Sequence, residues 1–235
     1  LSNEPLRFLK KSLQFSDGLL LTEVQLQQGN LRNVAEIEPG RLTIGFYRKE
    51  EEFIVSGAAV KNYVMSVAYN GSKWDINATA PGFSLSVHLA PEAARAIISQ
   101  NSHDLLMKRL TTPAGMHAIV FPITAAGEEL RHAIDATLRL AEDGCAGVDA
   151  QSASGWLTDD LMSLAACVID EVTDIDAITT PRGQVNRHKI ALEIERILWS
   201  TPNDEATAPS SLDQFAAHFD CSRRYVQQSV EELSL

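Results

Sequence analysis

Cysteine is scarce and scattered in this chain. Of its 235 residues only Cys145, Cys167 and Cys221 are cysteine, with no CxxC spacing. That excludes a disulfide framework or a cysteine-built zinc module, and fits buried structural thiols in a reducing cytoplasm. Histidine is equally dispersed. His88, His103, His117, His132, His188 and His218 are singletons, so neither HxH nor HExxH spacing occurs and no metal or other cofactor is expected. Ser102-His103-Asp104 holds the residue types of a triad. Neighbours in sequence cannot aim at one another that way, and the trio reads as a helix cap followed by first-turn polar residues. A phosphate-cradling glycine loop is missing, as is GxSxG, and no enzymatic activity is expected. No apolar run approaches the ~20 residues needed to cross a bilayer, and the N-terminus lacks a signal-peptide layout, so a cytoplasmic chain without a membrane partner is expected. It begins at Leu1 rather than Met, which suggests a fragment.

Positive charge is also short. Lys and Arg number 20 against 31 Asp and Glu, a formal charge of −11. A nucleic-acid reader needs cations for phosphate, so the distribution matters. Residues 101–180 hold 13 acidic and 4 basic residues, whereas 181–235 hold 8 and 6. The acidity therefore lies mostly outside the C-terminal segment. Around 142–176 it reads as a solvated face.

A 45% hydrophobic content is enough for one large or two smaller domains. After a basic-apolar segment at 6–13, strand-like runs follow at 19–27, 32–38, 41–48, 53–56, 62–69, 73–78 and 83–89. Turn signals separate them, Asn70-Gly71 being the strongest. Seven or more short strands predict an antiparallel barrel or sandwich. Beyond Leu89 the period becomes helical: Pro91 opens one helix to about Gln100, and Ser102 caps another to Leu110. Residues 116–123 return to extended character. The 128–142 segment is amphipathic, and 147–155 reads as a loop. Thr158 caps a helix from Asp159 to Val172 whose broad apolar face needs a partner, either the chain's own sheet or a second copy. Residues 174–183 read as a linker, and Val185–Ser200 as a helix with Ile190, Ile194, Ile197 and Leu198 inward.

The last segment is the most readable. Ser211 with Gln214 forms a capping-box start, and Leu212, Phe215, Ala216 and Phe219 supply an apolar stripe. Asp220-Cys221 breaks it and Ser222 caps a second helix. That helix leaves Arg223, Arg224, Gln227 and Gln228 outward. Two short helices joined by a tight turn, the second carrying Arg and Gln outside, make a helix-turn-helix.

Leu212, Phe215-Ala216, Phe219-Asp220-Cys221-Ser222, Arg223-Arg224 and Val226-Gln227-Gln228 resemble the first helix-turn-helix of AraC/XylS-type transcriptional regulators. Asp220 stands where that family usually has glycine, Cys221 where it has a small apolar residue, and Gln228 where it has arginine. The match covers roughly the last fifth of the chain, with the rest alike only in general layout. The resemblance implies an α+β plan: a cupin-like regulatory and dimerisation domain over 1–173, a linker at 174–183, and an incomplete DNA-binding domain over 184–235. It also implies a second helix-turn-helix beyond Leu235, so the chain reads as truncated inside that domain. DNA, a small-molecule effector and a second copy of the chain are the implied partners. Arg224, Gln227 and Gln228 would reach base edges, and Arg223 a phosphate. Phe46, Tyr63, Trp74 and His88 are the strand residues that could line an effector cavity, though ordinary core packing is the simpler reading for each. A cupin-like binding or interaction protein without DNA affinity remains the alternative.

Overall fold

The computed structural model describes residues 6–15, 18–56, 58–79, 81–112, 115–143, 150–175, 190, 193–194, 197, 209, 211–219 and 223–233. The chain divides into two compact units, one of residues 4–179 and one of 180–235 with the first three residues.

The larger unit is built on an antiparallel sheet. Its strands are β1 (Arg7–Gln14), β2 (Leu19–Gln28), β3 (Asn30–Glu36), β4 (Leu42–Val55), β5 (Ala58–Tyr69), β6 (Lys73–Thr79), β7 (Gly82–Leu89) and β10 (Ile119–Pro122), with a small ribbon of β8 (Thr111–Thr112) and β9 (Gly115–Met116) beside it. The main path runs β1-β2-β7-β4-β5-β10, and β6 joins the far end of β4 while carrying β3 on its other side. The antiparallel pattern expected from the sequence is present, but the barrel is not closed. Among the described residues β1 pairs only with β2 and β10 only with β5, so the path has two free ends. Pairing of β4 with β5 shifts register between Lys49 and Phe53, and Ile54 and Val55 then pair with Asn77 and Ile76 of β6. Extra residues in one strand of a pair bend it. The outer hairpin thus curls over one face of the sheet, which gives an open two-layer sandwich.

Both faces of the sheet are covered, by different means. Leu19, Leu21, Leu42, Ile44, Phe46, Met65, Val67, Leu85 and Val87 point to the face packed by helices. Those helices are α1 (Pro91–Ile97), α2 (Gln100–Leu110), α3 (Ala125–Asp143) and α4 (Ala150–Asp174). The opposite face buries Tyr47, Val64, Ala68 and Val120 against Phe53, Val55, Val60 and Trp74 of the curled-over layer. Burying each large apolar side chain contributes roughly 1.5–3 kcal/mol before entropy is subtracted.

Several local expectations change. The 6–13 segment is a strand, exposed along most of its length. Helix α2 is capped by Ser99, which accepts from Ser102 N at 3.1 Å, three residues earlier than expected. Helix α4 begins at Ala150, so residues 150–155 are helical rather than loop, and Thr158 lies inside it, donating to Ser154 O at 2.8 Å. Leu161, Ala165, Val168, Ile169 and Val172 of the apolar face of α4 are buried within its own unit, and Leu164 on the same face is partly buried. Cys167 is an exposed free thiol on that helix, against the expectation of burial. Cys145, Cys221, most of the 174–183 segment and much of 184–200, Leu198 included, lie outside the described residues. No described helix is long and apolar enough to cross a membrane.

The smaller unit contains α5 (Leu212–His218) and α6 (Arg223–Leu233). Ile194, Phe215 and Val226 are buried together, flanked by Ile190, Ile197, Leu212, Ala216, Phe219 and Val230. Ile190, Glu193, Ile194 and Ile197 are themselves helical, so three helical segments share this core.

Candidate functional site

Ser211 accepts a hydrogen bond from Gln214 N at 3.3 Å, the first half of the capping box read in the sequence. Phe215 and Phe219 stack one turn apart with ring centroids at 6.3 Å. The Asp220-Cys221-Ser222 turn lies outside the described residues. In α6, Val226 and Ser229 are buried, Arg223, Arg224, Gln227 and Glu231 are exposed, and Gln228 is half-buried. A 3.6-residue period puts residues 226, 229 and 230 on one side and 223, 224, 227, 228 and 231 on the other. These five polar residues line one open surface depression. Three have partners already: Arg223 Nη1 lies 3.6 Å from Asp213 Oδ2, and Gln227 donates to Glu231 Oε1 at 3.1 Å. Both pairs are exposed, so each contributes at most about 1 kcal/mol.

The four strand residues read as cavity candidates fall in three places. Phe46 is buried on the helix-covered face, part of the main core. Tyr63 is half-buried on the same face, where α3 leaves a groove. Trp74 and His88 meet between the two layers with ring centroids 6.3 Å apart. His88 Nδ1 is 3.0 Å from Thr43 Oγ1, and Nε2 is 3.0 Å from Ser86 Oγ and 3.2 Å from Thr22 Oγ1. Thr22 and Ser86 also share a short hydrogen bond of 2.5 Å. A neutral imidazole donates from one nitrogen and accepts at the other, and rotatable hydroxyls suit both. Burial, aided by Arg41 and Lys10, lowers the His88 pKa from 6.5 to about 4, so the ring is uncharged at neutral pH. Next to it Ser66 donates to the Tyr47 hydroxyl at 3.2 Å, and burial pushes the Tyr47 pKa far above its usual value. Trp74 Nε1 is buried without full hydrogen-bond geometry to any acceptor, and the Tyr47 oxygen is the acceptor it influences. This polar knot is satisfied mostly by its own members. The open apolar cleft lies further along the same layer, among Leu31, Phe53, Ile76 and Phe83, with Arg48 at its rim.

His103 Nδ1 lies 3.1 Å from Asp104 Oδ1, but Ser102 does not join them, so no triad forms. Ser102 Oγ donates to Asp170 Oδ1 at 3.0 Å, while the His103 ring lies edge-on to Tyr69 at 5.7 Å. Among the described residues no three His, Cys, Asp or Glu side chains gather as metal ligands.

Two residues that sequence reasoning passed over approach Tyr63. The guanidinium carbons of Arg48 and Arg131 lie 5.5 and 5.2 Å from its ring centroid. Arg48 is brought there by its strand pairing with Tyr63. Arg131 arrives from α3, sixty-eight positions later in the chain, and no local pattern announces that meeting.

No family model matches this chain, and no curated protein does. Solved structures of ToxT from Vibrio cholerae align with it. The wild-type protein with bound unsaturated fatty acid matches at 9% identity and a TM-score of 0.37, over 95% of this chain and 76% of that one. A P21 crystal form of ToxT matches at 9% identity and a TM-score of 0.32, over 88% and 77%. Likeness at this level assigns neither fold nor function.

Proposed function

We propose that this chain is a regulator of the AraC/XylS type, in which α6 enters the DNA major groove and the unit of residues 4–179 senses a small molecule in the cytoplasm. The observation that carries the reading is the division of α6: Val226 and Ser229 buried on the shared core, Arg223, Arg224 and Gln227 exposed on the opposite side. A recognition helix needs that division, because its inner face fixes the angle at which its outer face meets base edges. Arg224 is assigned to guanine, Gln227 and Gln228 to adenine, and Arg223 to a phosphate that displaces Asp213. For the 4–179 unit, the effector binds outside the Trp74–His88 knot, whose polar groups already pair with one another. With most of the apolar face of α4 already covered, a homodimer would use other surface, and Trp156 (72% exposed) near the start of α4 is the most exposed of the large apolar side chains described.

A cupin-like binding protein without DNA affinity is the competing reading. The acidic side chains of Asp213 and Glu231 beside the outward face favour it, since like charge repels phosphate.

The test is selection of duplexes from a random pool with the full chain at low salt, followed by footprinting. Arg224→Ala should lower affinity for the selected site about five- to 150-fold, equivalent to 1–3 kcal/mol for one good base contact. Arg223→Ala should weaken all duplexes alike and reduce the salt dependence. Selection that enriches no sequence, with Arg224→Ala indistinguishable from the parent, refutes the reading.

A further inference from the structure

Arg48, Tyr63 and Arg131 sit at one end of a groove of about 950 Å³ between the helix-covered face of the sheet and α3. The groove lies wholly within the larger unit. Its charges are unevenly matched. At the far end Lys11 Nζ meets Glu142 Oε1 at 2.8 Å and Glu23 Oε2 at 3.7 Å, and Arg139 meets Asp135 at 2.9 Å. Near Tyr63, Arg131 Nε meets Glu128 at 2.8 Å. Arg48 faces no carboxylate among the described residues, although the chain has eleven more acids than bases. The fold thus draws a second guanidinium to a ring that already holds one, and among the described residues no carboxylate pairs with that second charge. Both guanidinium carbons lie within 5.5 Å of one ring centroid; like charges held around one ring repel, and an anion between them removes the repulsion.

We propose that this end of the groove binds a phosphate monoester, its dianionic head held by the guanidinium forks of Arg48 and Arg131 over the Tyr63 ring. Planar guanidinium groups match phosphate oxygens two at a time. Cation–π contact with Tyr63 holds both groups in place before the ligand arrives. The rest of the groove, with Gln25 and Gln27 among its lining, is far larger than a phosphate ion and suits a polar body attached to it. The proposal deepens the reading of the 4–179 unit as a sensor and does not depend on DNA recognition by α6.

The test is calorimetric titration of the full chain with inorganic phosphate and with phenyl phosphate, using acetate as the monoanionic control. Both phosphates should bind saturably and acetate far more weakly. Arg48→Gln and Arg131→Gln should each weaken phosphate binding at least tenfold, whereas Lys108→Gln, on the exposed side of α2, should not. Absence of saturable phosphate binding overturns the proposal, as does binding that survives either arginine substitution. Arg48 is exposed, so its substitution leaves folding intact; circular dichroism and the thermal midpoint check Arg131→Gln. Phosphate that binds as described while DNA affinity stays unchanged with and without it would refute the sensor reading and leave the site standing.

Discussion

Acidification should destabilise this protein through His88 before most carboxylates protonate. The folded ring has a pKa of about 4 against 6.5 in the open chain. Between those values the unfolded chain binds a proton that the folded chain refuses, so stability falls as pH drops below 6.5 and stops falling from this source near pH 4. Each pKa unit corresponds to about 1.4 kcal/mol, so the full loss is about 3 kcal/mol, of which about 2 kcal/mol is gone by pH 5. Against a typical stability of 5–15 kcal/mol that is a large fraction. The perturbation is physical rather than merely electrostatic. Protonation makes both nitrogens donors among three hydroxyls, so whichever hydroxyl now donates to the ring must turn its proton away. Urea unfolding of the parent and of His88→Gln at pH 7.5, 6.0 and 5.0 isolates the effect, because the amide keeps a donor and an acceptor without titrating. The parent's advantage at pH 7.5 should shrink by about 2 kcal/mol at pH 5. A gap that stays constant with pH, or an imidazole resonance of His88 that titrates near 6.5, refutes the reasoning.

Three substitutions probe other parts of the fold. Gly45 lies on the strand face shared with Tyr47, and a Cβ there would sit 2.5 Å from the Tyr47 hydroxyl and 3.1 Å from Trp74 Cζ2. Those rings are packed edge-on at 6.1 Å with little room to retreat, so Gly45→Ala should cost about 1–3 kcal/mol in urea unfolding. Arg109 donates to the carbonyls of Thr173 and Ile175 at 2.7 and 2.5 Å, closing the C-terminal end of α4. Arg109→Met should cost roughly 1.5–3 kcal/mol and speed amide exchange in the last turn of that helix. Phe215→Ala empties the centre of the small helical core at about 3–5 kcal/mol; helical circular dichroism should fall while Trp74 fluorescence holds.

What the sequence made legible was local. Asn70-Gly71 signalled a tight turn, and both residues do take positive φ, 51° and 86°. The stripe of Leu212, Phe215 and Ala216 signalled a helix because Phe215 meets its core partners at helical spacing. What stayed hidden depended on pairing. The polar residues after Arg48 looked like the end of a strand, yet β4 continues to Val55 because β5 and then β6 supply hydrogen bonds beside it. The small polar run at 150–155 looked like a loop, because Ser, Gln and Gly compete poorly for helix on propensity alone. The helix that packs from Leu157 onward extends back through this run despite that weak preference.

The strand faces were harder to read for a different reason. In a sheet with one wet side, every second residue is polar and the apolar set marks the core. Here Thr22, Thr43, Ser66 and Ser86 occupy the alternate positions and are only 1–8% exposed. Their hydroxyls bond to His88, Tyr47 and one another, so a buried face carries the signature of a solvated one. Buried hydroxyls cost free energy unless each finds a partner. That requirement explains why the residues of this layer are small, closely spaced and gathered on a single imidazole. It also explains why Phe46 and Tyr63 could not be assigned by parity. Both lie on the apolar side, but with two buried faces the alternation defines two sets of residues without saying which set lines a cavity. The third dimension decided it, by laying α3 across one face and the curled outer hairpin across the other.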